Sequence, residues 1–300
     1  MNIFITGATG FIGGSVASHL LQAGHAVRGL VRNQDDADAL TSFGVTPVLR
    51  DLDDRDVLIH EAQRAEAVVN AASSDHRSSV EALLEGLRDT GKPFLHTSGS
   101  SVIGDDACGD VLSPRIYDEA TPFIVEPGKQ ARHAIDNLIL AAAETGVRSV
   151  VVCNSMIYGT GTFLRADSVQ IPRLAAQARL SGVVRIVGSG INRWSNVHID
   201  DVAMVYRLAL AQAPAGSFYF VENGEASFAV IGLAIAHRLG LASVQSWTVE
   251  QAAQQWGEGQ ARYSFGSNSR VRALRTRREL DWMPKHDSLI RWIEQEMSVK

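Results

Sequence analysis

The segment Gly7-Ala8-Thr9-Gly10-Phe11-Ile12-Gly13 constrains the fold of this chain more than any other. An apolar run, Asn2 to Thr6, precedes it directly, and a stretch with helical apolar spacing, Phe11 to Gln22, follows it. The glycines therefore fall at the turn between a strand and a helix, which is the context that gives such a pattern a mechanism. Gly7 permits the tight turn, Gly10 lets the backbone approach a phosphate, and Gly13 lets helix and strand pack closely. The free N–H groups at the helix start then point at an anion, so the expected ligand is the pyrophosphate of a dinucleotide. Thr9, Phe11 and Ile12 complete the turn and count with the three glycines as cofactor-binding positions.

The rest of the first half repeats this rhythm. Strands are expected at Ala26 to Val31, Pro47 to Arg50, Ala67 to Asn70, Phe94 to Thr97 and Ser149 to Cys153. Helices are expected between them, at Asp35 to Phe43, Arg55 to Arg64, His76 to Thr90 and Gln130 to Thr145. Short apolar runs alternating with helices make a parallel sheet covered on both faces, hence an α/β Rossmann fold, doubly wound, with a smaller C-terminal substrate lobe. The cofactor domain is placed at 1–160, with later strands returning from about 183–222, and the substrate lobe at 161–300, interleaved with the core. Beyond Gly159 the pattern is irregular, with helices expected at Ser168 to Leu180, Val202 to Ala211, Phe228 to Leu239 and Leu289 to Met297 and a strand at Phe218 to Val221.

The second strand decides which dinucleotide fits. It ends Leu30-Val31-Arg32-Asn33, without the carboxylate that would bind the 2′-hydroxyl of NAD. Arg32 offers a guanidinium to a 2′-phosphate instead, and Arg28, of the same strand parity, is a candidate assistant. NADP(H) is the expected cofactor.

Composition removes several classes. A formal charge of −5 argues against nucleic acid as a partner. Cys108 and Cys153 form neither a metal-ligand spacing nor a disulfide framework, which suits a reducing, cytoplasmic setting, and no metal is expected. There is no basic leader before the first apolar run and no uninterrupted apolar stretch long enough for a bilayer. The expected partners are a small-molecule substrate and, as the simplest assembly, a second copy in a homodimer.

The turn Gly-Ala-Thr-Gly-Phe-Ile-Gly resembles that of the extended short-chain dehydrogenase/reductases, relatives of the NAD-dependent epimerases and dehydratases. Further matches follow in order: Asp51-Leu52, Asn70-Ala71-Ala72-Ser73, Thr97 to Gly104, Ile157-Tyr158-Gly159, Asn196 to Val202, and Leu280-Asp281-Trp282-Met283-Pro284. The resemblance implies that Asp51 and Leu52 meet the adenine and that Ala71, Ala72 and Ser73 line the cofactor. It also implies that Asn154, Ser155 and Met156 face the nicotinamide. His198 and Asp201 are read as structural, the latter as a carboxylate at a helix start.

The same resemblance places a catalytic Tyr-x-x-x-Lys pair at Gly128 and Arg132, and a catalytic serine or threonine at Gly99. The tyrosine is absent. Arg132 keeps a positive charge for the ribose but is no proton carrier. Ser98 or Ser100 could bind a carbonyl oxygen, or both could serve only to satisfy the strand end and bound nicotinamide; Tyr117 and Tyr158 are candidate substitute donors, Tyr117 otherwise being a loop anchor and Tyr158 otherwise a packing residue with its hydroxyl near substrate. Phe163, Leu164, Trp194, Tyr263 and Phe265 suggest an apolar pocket, although each is equally explained as core, and Arg165, Arg193 and Arg270 could meet an acidic substrate group or simply be solvated.

Three functions compete. The leading expectation is an NADPH-dependent oxidoreductase reducing a carbonyl or similarly polarised bond with a non-standard proton donor. The second is an NADP(H)-binding sensor without turnover. The third, sugar-nucleotide epimerisation or dehydration, fits the missing tyrosine and Arg32 less well.

Overall fold

The computed structural model describes residues 1–299. Its body is built from β1 (Asn2–Thr6), α1 (Phe11–Gln22), β2 (Ala26–Val31), α2 (Gln34–Ser42), β3 (Thr46–Leu49), α3 (Arg55–Arg64), β4 (Ala67–Asn70), α4 (Arg77–Leu87), β5 (Pro93–Gly99), α5 (Gln130–Ala141) and β6 (Arg148–Asn154). Then follow β7 (Met156–Tyr158), α6 (Gln170–Ser181), β8 (Val184–Val187), β9 (Arg193–His198), α7 (Ile199–Gln212) and β10 (Ser217–Val221). The chain continues through β11 (Glu225–Ser227), α8 (Phe228–Leu239), β12 (Val244–Trp247), α9 (Val249–Trp256), α10 (Glu258–Gln260), α11 (Leu274–Leu280) and α12 (Leu289–Gln295).

Seven strands form one parallel sheet in the order β10-β6-β5-β4-β1-β2-β3. The strands are apolar on both faces because both faces are covered by helices. Ile3 and Ile5 enter the core shared with α1 and α7, whereas Phe4 enters the opposite core with Leu83 of α4 and Ile139 of α5. The strand order reverses between β1 and β4, and a crevice opens there at the C-terminal ends of the strands.

Strand β10 closes the sheet beside β6. The strand at Val184–Val187 instead pairs with β12, outside the main sheet. The smaller lobe holds this ribbon and the three-stranded sheet β11-β9-β7, around a separate core containing Leu174, Ile231 and Trp292. Helix α7 nevertheless packs with α1 on the main sheet, so the body reclaims the chain between the two lobe segments. Asp201 ties the C-terminal segment back: its carboxylate accepts from the backbone N–H groups of Lys285 and His286 at 2.8 and 2.9 Å, and its carbonyl accepts from the Trp282 indole. His198 caps α7 through its ring nitrogen, which accepts from Asp200 N at 3.2 Å. Among the described residues, no helix is long and apolar enough to cross a membrane.

Candidate functional site

Three loops meet where the strand order reverses. Gly7 adopts φ +73°, and a Cβ on it would lie 2.6 Å from the Ala71 carbonyl oxygen, so only glycine lets the loops after β1 and β4 touch. A Cβ on Gly13 would collide with the Gly7 carbonyl. Gly10 differs, since its missing Cβ would meet only the Gly7 oxygen, at 3.2 Å, and otherwise faces open space. Gly10 is also the N-cap of α1, with no side-chain cap and no acidic residue in the first turn, so the helix N–H groups are left for an outside partner. Phe11 and Ile12 turn inward against the core, Phe11 lying under Gly161. Below this turn Thr6 Oγ donates to Asn70 Oδ1 at 2.5 Å, and Asn70 Nδ2 meets His96 Nδ1 at 3.1 Å. That chain links the ends of β1, β4 and β5, and burial first, then the charge of Arg132, pushes the His96 pKa down to about 3, so its ring is neutral.

A cavity of about 380 Å³ opens from the turn, lined by Gly7, Thr9, Gly10, Arg32, Asp51, Leu52, Ala71, Ala72 and Ser73 together with Arg165. Arg32 and Arg165 are both exposed and have no hydrogen-bond or ion-pair partner among the described residues. Asp36 also lines this end, but its carboxylate accepts from Asn33 Nδ2 at 3.0 Å in the first turn of α2. Arg165 arrives on a loop fixed by Phe163, which packs on Gly14 and stacks 4.1 Å from Phe43. Phe163 thus belongs to the wall behind this cavity. The suggested help from Arg28 is corrected: its guanidinium is spent on Glu61, at 2.7 and 3.0 Å, near the opposite end of the strand.

Around the start of α5 the site is polar. Arg132, in the first turn, gives two hydrogen bonds to Asp75 on the loop after β4, at 2.8 and 2.5 Å, and a third to Ser101 Oγ at 3.1 Å. The hydrogen bonds from Arg132 hold the Asp75 carboxyl below the usual carboxylate range. The guanidinium passes beside Gly99, where a Cβ would lie 3.6 Å from it in ordinary contact. Gly128 precedes the helix in a short 3-10 turn, Pro127–Lys129, and its open side faces the ring of Tyr263.

The hydroxyls expected from the sequence are distributed otherwise. Ser98 Oγ donates to the buried Asp136 at 2.9 Å, where burial pushes the carboxyl up to about 7 against the pull of Ser98 and Arg132. Ser100 is fully buried and exchanges hydrogen bonds with Ser269, so it is corrected to a structural tie. Ser101, unremarked in the sequence, is the hydroxyl that reaches Arg132, because the strand gives way to a 3-10 turn at Ser100–Ile103 and its alternation fails. Tyr158 is corrected as well: it is 1% exposed, wedged against His198 and Trp292, and its hydroxyl donates to the His286 carbonyl at 3.4 Å. Tyr117 forms a backbone rung with Val271 and lines a separate cavity of about 180 Å³.

Asn154, Ser155 and Met156 are all turned into the protein: Asn154 toward Tyr206, Ser155 onto the Val221 carbonyl, Met156 into the second core. Arg193 and Arg270 are not free for an acidic substrate, since both pair with Glu225, Arg270 at 2.8 and 3.0 Å. Trp194 and Phe265 belong to the second core, and Leu164 is exposed. His198, Asp200 and His286 bring ligand-type atoms within 4.8 Å of one another, but the two imidazoles stack at 3.7 Å with their planes 17° apart. Parallel rings aim their lone pairs side by side and not at one ion.

Residues 3–221 match the NAD dependent epimerase/dehydratase family. A Schizosaccharomyces pombe protein, Uncharacterized protein C2A9.02, is 31% identical over 97% of this chain and 97% of its own. The 4-hydroxy-2-methyl-3-oxo-4-farnesyl-3,4-dihydroquinoline-1-oxide ketoreductase of Stigmatella aurantiaca is 30% identical over 75% of this chain and 69% of its own. Among solved structures, the dTDP-glucose 4,6-dehydratase DesIV of Streptomyces venezuelae, with NAD and TYD bound, aligns with a TM-score of 0.78. That likeness covers 99% of this chain and 98% of the dehydratase at 20% identity, and it is a likeness of fold.

Proposed function

The chain belongs to the NAD dependent epimerase/dehydratase family, and from that premise we propose that it is an NADPH-dependent reductase of a carbonyl or similarly polarised bond in a small molecule. The observation that carries this reading is one cleft holding both an uncapped helix start at Gly10 and an unpartnered cation, Arg32, at the end of β2. A Cβ at Gly10 would project into that space, which is what a cradle for a phosphate requires. Arg32, with Arg165 beside the same cleft, would hold a 2′-phosphate or a pyrophosphate oxygen by charge-assisted hydrogen bonds. Leu52 and Ala71 give the cleft apolar walls against which an adenine ring can lie.

Bound there, NADPH supplies a hydride. The chain's own work is to hold and orient. Thr9 and the first turn of α1 offer donors to phosphate, and Arg132, fixed by Asp75, keeps a permanent positive charge next to Ser101. That charge and the Ser101 hydroxyl would bind oxygen atoms of cofactor or substrate that reach the start of α5. The ketoreductase relative supports reduction over epimerisation. So does Gly128, which gives α5 no base.

The deciding experiment is NADPH oxidation, followed by absorbance, against a panel of ketones, aldehydes and imines, with NADPH binding measured in parallel by fluorescence. Binding with turnover of a panel member is expected. Tight NADPH binding with no turnover across the panel would favour a cofactor-binding protein without chemistry, and no binding would remove both readings.

A further inference from the structure

Reduction of a carbonyl needs an acid at the substrate oxygen, and the start of α5 offers none at Gly128. The chain has five tyrosines. Three have committed hydroxyls: Tyr158 to the His286 carbonyl, Tyr206 to Thr97 at 2.6 Å and Tyr219 to Glu279 at 3.0 Å. Tyr117 stands in its own cavity beside Arg115 and Asn268. Tyr263 alone combines a hydroxyl without a partner among the described residues with a place beside α5.

Its position is specific. A Cβ on Gly128 would lie 2.9 Å from Tyr263 Cε2 and 3.2 Å from its hydroxyl oxygen, so the ring fills the volume that a side chain at 128 would take. Lys129 Nζ stands 5.3 Å from the ring centroid, and Arg132 follows one helical turn on. Tyr263 is half-buried, and it is carried by a single π-helical turn, Ala261–Phe265, a distortion frequent at functional sites. The turn is pinned on both sides of the tyrosine: Arg262 pairs with Asp106 at 2.6 Å, and Ser267 Oγ donates to the Tyr263 carbonyl at 3.0 Å.

We propose that Tyr263 is the proton donor of this protein, reaching from the second lobe into the place that Gly128 vacates; the proposal rests on the reductase reading above. The substrate carbon accepts a hydride from NADPH, which leaves as NADP⁺. The C=O π bond breaks, its electron pair moves to oxygen, and that oxygen takes the Tyr263 phenolic proton. The phenolate that remains faces the Lys129 ammonium and recovers a proton from water. The sum is one carbonyl, one NADPH and one proton consumed, one alcohol and one NADP⁺ formed.

The test compares wild type with Tyr263→Phe, which keeps the ring and removes only the hydroxyl. Turnover of the best panel substrate is expected to fall about a hundredfold or more, with the NADPH dissociation constant within about twofold of wild type. A readout without turnover accompanies it: nitration of Tyr263 by tetranitromethane, quantified by peptide mass spectrometry. At NADP⁺ about tenfold above its dissociation constant, the nitration rate is expected to fall about tenfold by mass action. Turnover that survives Tyr263→Phe, loss in Tyr117→Phe in its place, or nitration indifferent to NADP⁺ overturns the role of Tyr263 alone. A wild type that binds NADPH and reduces no panel compound overturns the reductase reading, and this role with it.

Discussion

Asp75 accepts two hydrogen bonds from the Arg132 guanidinium, joining the loop after β4 to the first turn of α5 across 57 residues of sequence. Burial works against the charge on Arg132 more than any other single influence, and the hydrogen bonds to Asp75 together with the charges of Asp75 and Asp136 more than compensate. The Asp75 side chain is 60% exposed, so much of the attraction is screened and the pair contributes about 1 kcal/mol to stability. Its larger effect is to fix a cation beside Ser101. Arg132→Gln is therefore expected to lower stability by only about 1 kcal/mol in urea unfolding while weakening NADPH binding clearly in a fluorescence titration. A variant that binds NADPH as wild type does would show that the guanidinium serves the loop and not the cofactor.

In the proposed reading, Arg32 sets the choice between the two dinucleotides. It has no partner to give up, so a 2′-phosphate gains its full hydrogen bonding, on the order of 1.5–3 kcal/mol, or roughly tenfold to a hundredfold in affinity. Wild type is expected to bind NADPH more tightly than NADH by that factor, and Arg32→Glu to narrow or reverse the ratio. Equal affinities in wild type, by titration calorimetry, would end the assignment.

The glycines of the turn separate folding from binding. Gly7→Ala forces a positive φ on a residue with a Cβ and drives that Cβ to 2.6 Å from the Ala71 carbonyl, so the variant is expected to lose stability and soluble yield. Gly10→Val has space on its open side and is expected to keep the circular-dichroism spectrum and melting behaviour of the wild type while losing NADPH binding. Undiminished binding by Gly10→Val would mean that the phosphates lie elsewhere.

How much of this was legible in the sequence follows from what each feature depends on. The seven strands of the main sheet were readable because a parallel sheet buried on both faces demands short apolar runs, and β1 with its glycines is the clearest of them. The short strands β7, β8, β11 and β12 were not, since each is three or four residues long, too short to show a period. Arg28 and Arg32 share a strand face, yet only the fold reveals that one is spent on Glu61 and the other is free. Ser101 was hidden because the resemblance put the hydroxyl position at Gly99 and so pointed to its neighbours Ser98 and Ser100, while the 3-10 turn at Ser100–Ile103 is what brings Ser101 to Arg132. Arg165 enters the cleft through the packing of Phe163 on Gly14, and Tyr263 meets Gly128 through a π turn, both long-range contacts with no local signal.

Asp136 makes stability depend on pH in a direction opposite to most carboxylates. Its side chain is 1% exposed, one oxygen accepts from Ser98, and the other has no partner, so burial raises its pKa from the usual 3.8 to about 7. A carboxyl raised in this way contributes stability that is fully present below pH 3.8 and is lost as pH rises through about 7, because the unfolded chain gives up the proton first. The scale is roughly 4 kcal/mol over that range. His96, lowered to about 3, acts in the opposite sense over an overlapping window, its stability present above pH 6.5 and lost as pH falls toward 3. The wild-type curve alone therefore mixes the two, and the difference between wild type and Asp136→Asn isolates the carboxyl. The asparagine keeps an acceptor for Ser98 and does not titrate. Its stability relative to wild type is expected to climb between pH 4 and 7 and to level off above, in urea unfolding at a series of pH values. Parallel curves across that window would mean that Asp136 ionises freely in the folded protein.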